Sequence, residues 1–298
     1  MPGPSSPTIR TFQPTDAEAL TALLWESLAS GEQAGHTSSD VESIIGSFTV
    51  LRHLLVAELD HEPVGLISPI HRFIVVRSDV RRRGIGRELV NAAEADSAQS
   101  PDGPVILFPP HNSAKALSFL KAIDFQYDHS LWRFQLDSKR YEQLPELPAD
   151  LSMTAFDDDD LAEYVDLINT AFLDHPVRLH VTREQIEHIH ASPKFDPAGI
   201  ALLRTPSGQM VGFCVTGSDR NEGTTVGIIN LLGLQRGYRG RGLGRFLLIW
   251  GIERLRSLGL EQIELGVEAE NEKAVRLYRS VGFDLVEEWP QWTRKRVA

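Results

Sequence analysis

Cysteine is nearly absent from this chain. Cys214 has no second thiol to pair with in 298 residues, so no disulfide forms within the chain, and the composition fits a reducing compartment. Cys214 lies in the apolar run Met210-Val211-Gly212-Phe213-Cys214-Val215 without a basic neighbour, and reads as a buried strand residue rather than a catalytic thiol. No uninterrupted apolar run approaches the ~20 residues of a membrane span, and Met1-Pro2-Gly3-Pro4-Ser5-Ser6-Pro7 lacks the basic-then-apolar pattern of a secretory signal. A soluble, cytoplasmic protein is therefore expected, with no membrane partner. Positive charge is also short. Thirty basic residues face 41 acidic ones, and a net charge of −11 argues against nucleic acid as a partner while suiting a cationic or amine-bearing substrate. Metal-ligand sets are missing too. Four adjacent carboxylates, Asp157 to Asp160, cannot all face one ion and instead suit a helix start. His180, His188 and His190 have no Cys or Asp at metal spacing, so no metal is expected.

What the chain does have is glycine at two telling places. Arg239-Gly240-Arg241-Gly242-Leu243-Gly244 follows the strand-like run Gly227 to Leu234 and opens an apolar helix beginning near Arg245. Such a turn exposes backbone N–H groups at the positive end of a helix dipole, where phosphate or pyrophosphate binds. A weaker echo, Arg81-Arg82-Arg83-Gly84-Ile85-Gly86, follows Phe73-Ile74-Val75-Val76. Gly84 and Gly242, Gly86 and Gly244, Arg87 and Arg245, Leu89 and Leu247, Ala116 and Ala274, and Phe125 and Phe283 are all 158 apart. Phe12 and Phe156, in matching starts, are 144 apart, so the second copy carries 14 more residues before its turn. The chain is thus two copies of one α/β unit, each near the usual domain size. The Pro-rich stretch Leu144 to Asp150 is the natural linker, giving domains 1–143 and 151–298.

The patterning predicts the same element order in each copy. In the first copy this is a strand at Ile9, a helix from Asp16 to Ser30, a hairpin around Asp60-His61-Glu62-Pro63 and a strand to Val76. The glycine turn follows, then a helix to Ala98, a strand at Val105–Phe108, a helix from Ser113 to Ile123, and a strand pair around Phe125 and Leu131–Phe134. In the second copy, helices are expected at Asp160–Phe172 and Thr182–Ala191 and a hairpin through Ile200–Arg204 and Met210–Thr216. After the turn come a helix to Leu258, a strand Glu261–Val267, a helix Asn271–Val281, and strands near Phe283–Glu287 and Trp292–Arg296. Trp289 and Trp292 read as packing residues.

Two nucleotide motifs are excluded. A P-loop needs Lys-Ser/Thr after its second glycine, and neither turn has it; the dinucleotide fingerprint fails because Arg245 follows where a third glycine is required. Downstream lies Asn271-Glu272-Lys273-Ala274-Val275-Arg276-Leu277-Tyr278-Arg279-Ser280-Val281-Gly282-Phe283. Arg-x-x-Gly-x-Gly followed by Asn-x-x-Ala-x-x-x-Tyr-x-x-x-Gly-Phe resembles the acyl-CoA signature of the GNAT N-acetyltransferase superfamily, and the resemblance spans essentially the whole chain as two tandem domains. It implies an α/β fold in which each domain is a mixed, mostly antiparallel twisted sheet flanked by helices. It implies acetyl-CoA as co-substrate and a small-molecule primary amine as acceptor, in a monomer or homodimer.

The resemblance assigns roles residue by residue. Backbone N–H groups of Arg239, Gly240, Arg241, Gly242, Leu243, Gly244 and Arg245 would hold the pyrophosphate. Leu232, Gly233 and Leu234 would lie along the pantetheine arm, where a backbone N–H polarises the thioester carbonyl. Asn271 and Ala274 would face the cofactor, and Tyr278 would protonate the departing thiolate. In the first copy Val76, Arg81, Gly84 and Gly86 remain for CoA binding, but Leu120, Ser113 and Asp124 stand where Tyr278, Asn271 and Gly282 stand in the second, so that copy cannot catalyse by the same route.

Among tandem members the pattern resembles the mycothiol synthase family, with Ala171-Phe172-Leu173-Asp174-His175-Pro176 and Phe195-Asp196-Pro197-Ala198-Gly199 as local matches. That family carries a glutamate proposed as base where this chain has Ile228, and a tyrosine where it has Gly266. A replacement base would come from Glu268, with Asp219 and Glu222 as alternatives. The competing reading is a non-catalytic acyl-CoA-binding or sensing protein; a third is a phosphate-sensing or nucleotide-binding module.

Overall fold

The computed structural model describes residues 6–29, 54–68, 73–97, 106–107, 114–137, 139, 143–174, 181–191, 195–221 and 224–294. The chain forms two compact units, one of Met1–His129 with Trp289–Ala298 and one of Ser130–Glu288.

In the first unit, strands β1 (Thr8–Thr11), β2 (Leu55–Leu59), β3 (Glu62–Ser68) and β4 (Phe73–Val76) form an antiparallel sheet in that order. Alternation along β2 sends Leu55, Ala57 and Leu59 to one face and Val56 to the other, so the sheet is apolar on both sides. Helix α1 (Ala17–Ala29) covers one face with Leu20, Leu23 and Leu24. Helices α2 (Ile85–Ser97) and α3 (Ala114–Ala122) cover the other with Ile85, Leu89, Val90 and Leu120. The short strand β5 (Ile106–Leu107) pairs with the end of the chain's last strand, Leu107 opposite Trp292 and Ile106 opposite Thr293. Of the strand expected at Val105–Phe108, the outer residues lie outside the described ones.

The second unit repeats this plan. Strands β7 (Ser152–Ala155), β8 (Ile200–Arg204), β9 (Met210–Asn221) and β10 (Thr224–Leu234) run antiparallel, and β11 (Gln262–Glu268) joins parallel to β10. Helices α4 (Leu161–Ala171) and α5 (Arg183–His190) cover one face through Tyr164, Leu167, Ile168 and Ile186. Helices α6 (Leu243–Ser257) and α7 (Glu272–Val281) cover the other through Phe246, Leu247, Ile252, Val275 and Tyr278. The aspartate run starts a helix as its chemistry suggests: the Asp157 carboxylate accepts from Asp159 N–H, and Asp160 accepts from Asp157 N–H. Cys214 is buried on β9 and free, and burial pushes its thiol up.

Each copy was expected to end in two short strands. Each ends in one long strand instead: β6 (Gln126–Asp137) and β12 (Asp284–Thr293). From Ser130 onward β6 belongs to the second unit, where it pairs antiparallel with β11 from Asp137 opposite Gln262 to Leu131 opposite Glu268. Phe134 and Leu136 on this stretch are fully buried in the second unit's core. From Trp289 onward β12 belongs to the first unit. Each unit therefore takes a strand from the other copy's sequence, and its boundaries differ from the sequence ranges 1–143 and 151–298. Alternating apolar residues specify that a strand buries one face but not which sheet receives it.

This exchange sets an expected fragment behaviour. Residues 130–288, which retain Phe134 and Leu136, melt cooperatively when expressed alone, whereas residues 151–298 do not; thermal denaturation followed by circular dichroism distinguishes them, and equal cooperativity of the two fragments contradicts the exchange.

Candidate functional site

The glycine turn of the second unit is built by backbone conformation. Gly240 and Gly242 both have φ of 79°, in the left-handed region, and a Cβ on either would meet nothing within 4 Å. Their requirement is thus conformational rather than steric. No side chain caps the N-terminus of α6 at Gly242, so the first-turn N–H groups remain open to a ligand. In the first unit Gly84 has φ of 87° at the position of Gly242, and Arg82 has φ of 65° at the position of Gly240. The turn keeps its shape even where arginine must adopt a conformation that strains it.

The arginines around the turn serve the fold in both copies. Arg239 donates through Nε to Leu234 O (3.2 Å), as Arg81 does to Val76 O (2.8 Å). Arg245 reaches Ser280 Oγ at 2.8 Å, as Arg87 reaches Ala122 O at 2.8 Å, tying each glycine-turn helix to the end of the next helix. Arg239 also pairs with Asp174 (2.6 Å) and donates to Ala171 O (2.7 Å), and holds the Asp174 carboxyl below its ordinary range. Arg241 pairs with Asp150 at 2.7 Å and lies over the Tyr238 ring. With Arg239, Arg241 and Arg245 engaged in these contacts, the open backbone of the turn is the element left available to a ligand.

Immediately before the turn the sheet opens. β10 and β11 pair only at Gly227 with Ile263 and Ile228 with Glu264. Beyond that point β10 remains paired with β9 as far as Leu234, and β11 remains paired with β6 as far as Glu268. The β11-facing backbone edge of residues Asn230 to Leu234 is therefore without a strand partner among the described residues. The β9–β10 register shifts between Ile229 and Leu231, a bulge at Asn230 that re-aims the backbone where the strands part. Leu232, Gly233 and Leu234 line this edge, which ends at the glycine turn. A Cβ on Gly233 would come within 2.6 Å of the Phe213 ring, so glycine is required for β10 to pack on β9.

Tyr278 is buried on α7, its ring against Phe134 and Phe283 at centroid distances of 6.4 and 6.1 Å. Burial pushes its phenol up, with Cys214 adding to the effect, so it stays protonated well beyond neutral pH. Its counterpart in the first unit is Leu120, a buried core residue. Asn271 is the N-cap of α7: its Oδ1 accepts from Ala274 N–H at 3.2 Å. The amide expected to face a ligand thus fixes the helix that carries Tyr278. Gly282 ends that helix with φ of 102°.

Of the three candidate bases, the Asp219 side chain and Glu222 lie outside what is described, and Glu268 is buried at the end of β11. Ile263, Leu265 and Val267 face the core under α6 and α7, so Glu264, Gly266 and Glu268 share the opposite face. Glu264 is a residue the sequence reading passed over. It is 6% exposed, beside Ile228 where the strands part, and it accepts from Arg133 Nη1 (2.7 Å) and Gln135 Nε2 (3.0 Å). The signal for it is present in Gln262-Ile263-Glu264-Leu265-Gly266-Val267-Glu268, a strand whose apolar residues alternate with a face bearing Gln262, Glu264 and Glu268. Among the described residues no group of three His, Cys, Asp or Glu side chains is arranged to hold a metal.

The family model described as Acetyltransferase (GNAT) family matches residues 18–125 and again 161–283. The mycothiol acetyltransferase of Clavibacter michiganensis subsp. michiganensis is 32% identical over 238 residues, 77% of this chain and 76% of that protein. That of Nocardia farcinica is 31% identical over 291 residues, covering 93% and 94%. Among solved structures, a GCN5-related N-acetyltransferase from Sphaerobacter thermophilus matches with a TM-score of 0.63 at 22% identity over 96% of this chain and 94% of that one. A tandem GNAT protein from the clavulanic acid biosynthesis pathway matches with a TM-score of 0.64 at 16% identity over 97% and 98%. The two structures share the fold.

The left-handed turn positions set opposite expectations for the two copies. Gly240→Ala lowers stability by about 1 kcal/mol, whereas Arg82→Gly preserves or raises it by up to about 1 kcal/mol. Urea denaturation monitored by fluorescence measures both; a loss at Arg82 equal to that at Gly240 contradicts the shared turn geometry.

Proposed function

Because the chain belongs to the Acetyltransferase (GNAT) family and is an acetyl-CoA-dependent acetyltransferase, we propose that its second unit transfers the acetyl group directly to a primary amine of a small molecule. The observation that carries this reading is the parting of β10 and β11 beside an uncapped glycine turn, with the buried Tyr278 on the helix that follows β11.

The residues fit the donor. The open N–H groups of the turn offer a charge-complementary seat for a pyrophosphate, and the unpaired edge of Leu232, Gly233 and Leu234 can pair with the amides of a pantetheine arm as a neighbouring strand would. Acetyl-CoA supplies an activated acyl group; everything else is done by the chain. Backbone N–H groups near the Asn230 bulge polarise the acyl carbonyl. Glu268 takes the proton that the amine loses as its nitrogen bonds to the acyl carbon. Tyr278 gives its proton to the sulfur as the carbon–sulfur bond breaks. A phenol whose proton is held more tightly than usual is protonated at every working pH, which is the state an acid needs.

The acidic chain and the carboxylate-bearing face of β11 favour an acceptor that carries an amine. Ile228 and Gly266 stand where the mycothiol synthase family has a carboxylate and a phenol, so the acceptor differs in its contacts from the one those relatives take. In the first unit, Val76, Arg81, Gly84 and Gly86 keep the turn's geometry without a phenol, a ligand-holding or structural role.

Tyr278→Phe is expected to lower kcat by about 10²–10⁴-fold with little change in the KM for acetyl-CoA. Since the phenol's pKa is raised, wild-type kcat keeps the Tyr278 contribution up to and beyond the ordinary tyrosine range near pH 10, and no basic limb below that arises from it. Steady-state kinetics across an amine panel checks both; unchanged kcat in the variant contradicts the role of Tyr278, and absence of turnover on any amine contradicts the transfer reading.

A further inference from the structure

We infer that Glu264 is the carboxylate that contacts the acceptor amine, with Arg133 as the residue that positions it. This rests on the transfer reading above and adds the acceptor's side of the site.

The place is set by the sheet. Ile228 and Glu264 form the last pair before β10 and β11 separate, so Glu264 stands at the inner end of the cleft whose outer end is the glycine turn. Paired residues project from the same face, and the neighbour across the ladder is the apolar Ile228. The next position along that face is Gly266, which is exposed and has no side chain, with Leu131 of β6 bordering the space above it. On β6, Arg133 and Gln135 share this face because Phe134 and Leu136 point into the core.

The chemistry follows from how Glu264 is held. Both of its donors, Arg133 Nη1 and Gln135 Nε2, bond to Oε1. Oε2 has no hydrogen-bond partner among the described residues, although the side chain is more than nine-tenths buried. Oε2 is not among the sealed side-chain atoms, so it stays within reach of a ligand that brings an N–H to a carboxylate held on one side only. Arg133 is itself shared, pairing with Glu287 at 2.9 Å, so one cation faces two carboxylates. The imbalance leaves a net negative site, which suits a ligand that brings hydrogen-bond donors and positive charge and opposes one that brings an anion. An amine does both. Position 106 in the first unit, which matches Glu264 at the repeat offset, is isoleucine, so the feature belongs to the second unit alone.

Arg133 does not touch the acceptor in this arrangement. It fixes Oε1 together with Gln135, which leaves Oε2 as the oxygen available to a ligand.

The test uses the full chain with glucosamine, tyramine and putrescine as acceptors. Glu264→Gln is expected to raise the KM for the amines by about tenfold or more while the KM for acetyl-CoA stays within about twofold. Glu264→Asp, which keeps the charge, recovers part of the loss. Arg133→Met raises the amine KM in the same selective way, and Arg133→Lys restores part of it. Parallel changes in both KM values point to a structural role and overturn the inference, as does an unchanged amine KM in Glu264→Gln. Should the wild type turn over no amine, calorimetric titration of putrescine into the CoA-saturated protein decides separately. Binding that Glu264→Gln weakens about tenfold upholds this inference while the transfer reading falls; absence of binding overturns both.

Discussion

The separation of β10 from β11 after two ladder pairs, Gly227 with Ile263 and Ile228 with Glu264, is the constraint on which the site depends. A parallel pair that continued to Leu234 would use up the backbone groups of β10 within the sheet. Because it stops at Ile228 and Glu264, a run of backbone donors and acceptors faces a cleft that ends at the N-terminus of α6. The open edge of β10 leads along the chain to the open helix end at Gly242. The two strands that part are each secured on their far side, β10 by β9 and β11 by β6. That security is what allows an unpaired interior edge to persist.

β6 comes from the first copy's sequence, and this gives the tandem arrangement a physical consequence. The strand that holds β11 in place, and that delivers Arg133 and Gln135 to its face, lies before the linker. The second copy's sequence by itself supplies the turn, the phenol and the cleft's two walls, but not the support of the outer wall. The second unit carries the buried Tyr278 where the first carries Leu120, and the exchange places a strand of the first copy's sequence beside Glu264 and Glu268.

Much of this was legible in the residues. The glycine turns, their shared offset, the helix over Glu272–Val281 and the placement of Tyr278 all follow from spacing and local chemistry, because each is specified within a few residues. The repeat also holds at the level of backbone: Arg82 and Asp124 adopt the left-handed conformations that Gly240 and Gly282 adopt in the other copy. What escaped was non-local. Period-two alternation in Leu131–Leu136 shows a strand with one buried face, yet two sheets could satisfy it. The ion pairs of Arg239 with Asp174 and Arg241 with Asp150 join residues far apart in sequence, so the motif alone does not show them. The spacing of Asn271 to Ala274 also marks an N-cap, a local role that the structure shows. Glu264 was missed because its meaning comes from Arg133 and Ile228, both on other strands.

The central claim is that one cleft, running from the Asn230 bulge to the turn at Gly242, receives the acyl donor. Hydrogen–deuterium exchange with and without CoA tests it directly. Protection on CoA binding of the amides of residues 230–234 together with residues 240–245 is the predicted result. Protection confined to other segments, with these amides unchanged at saturating CoA, would contradict the account.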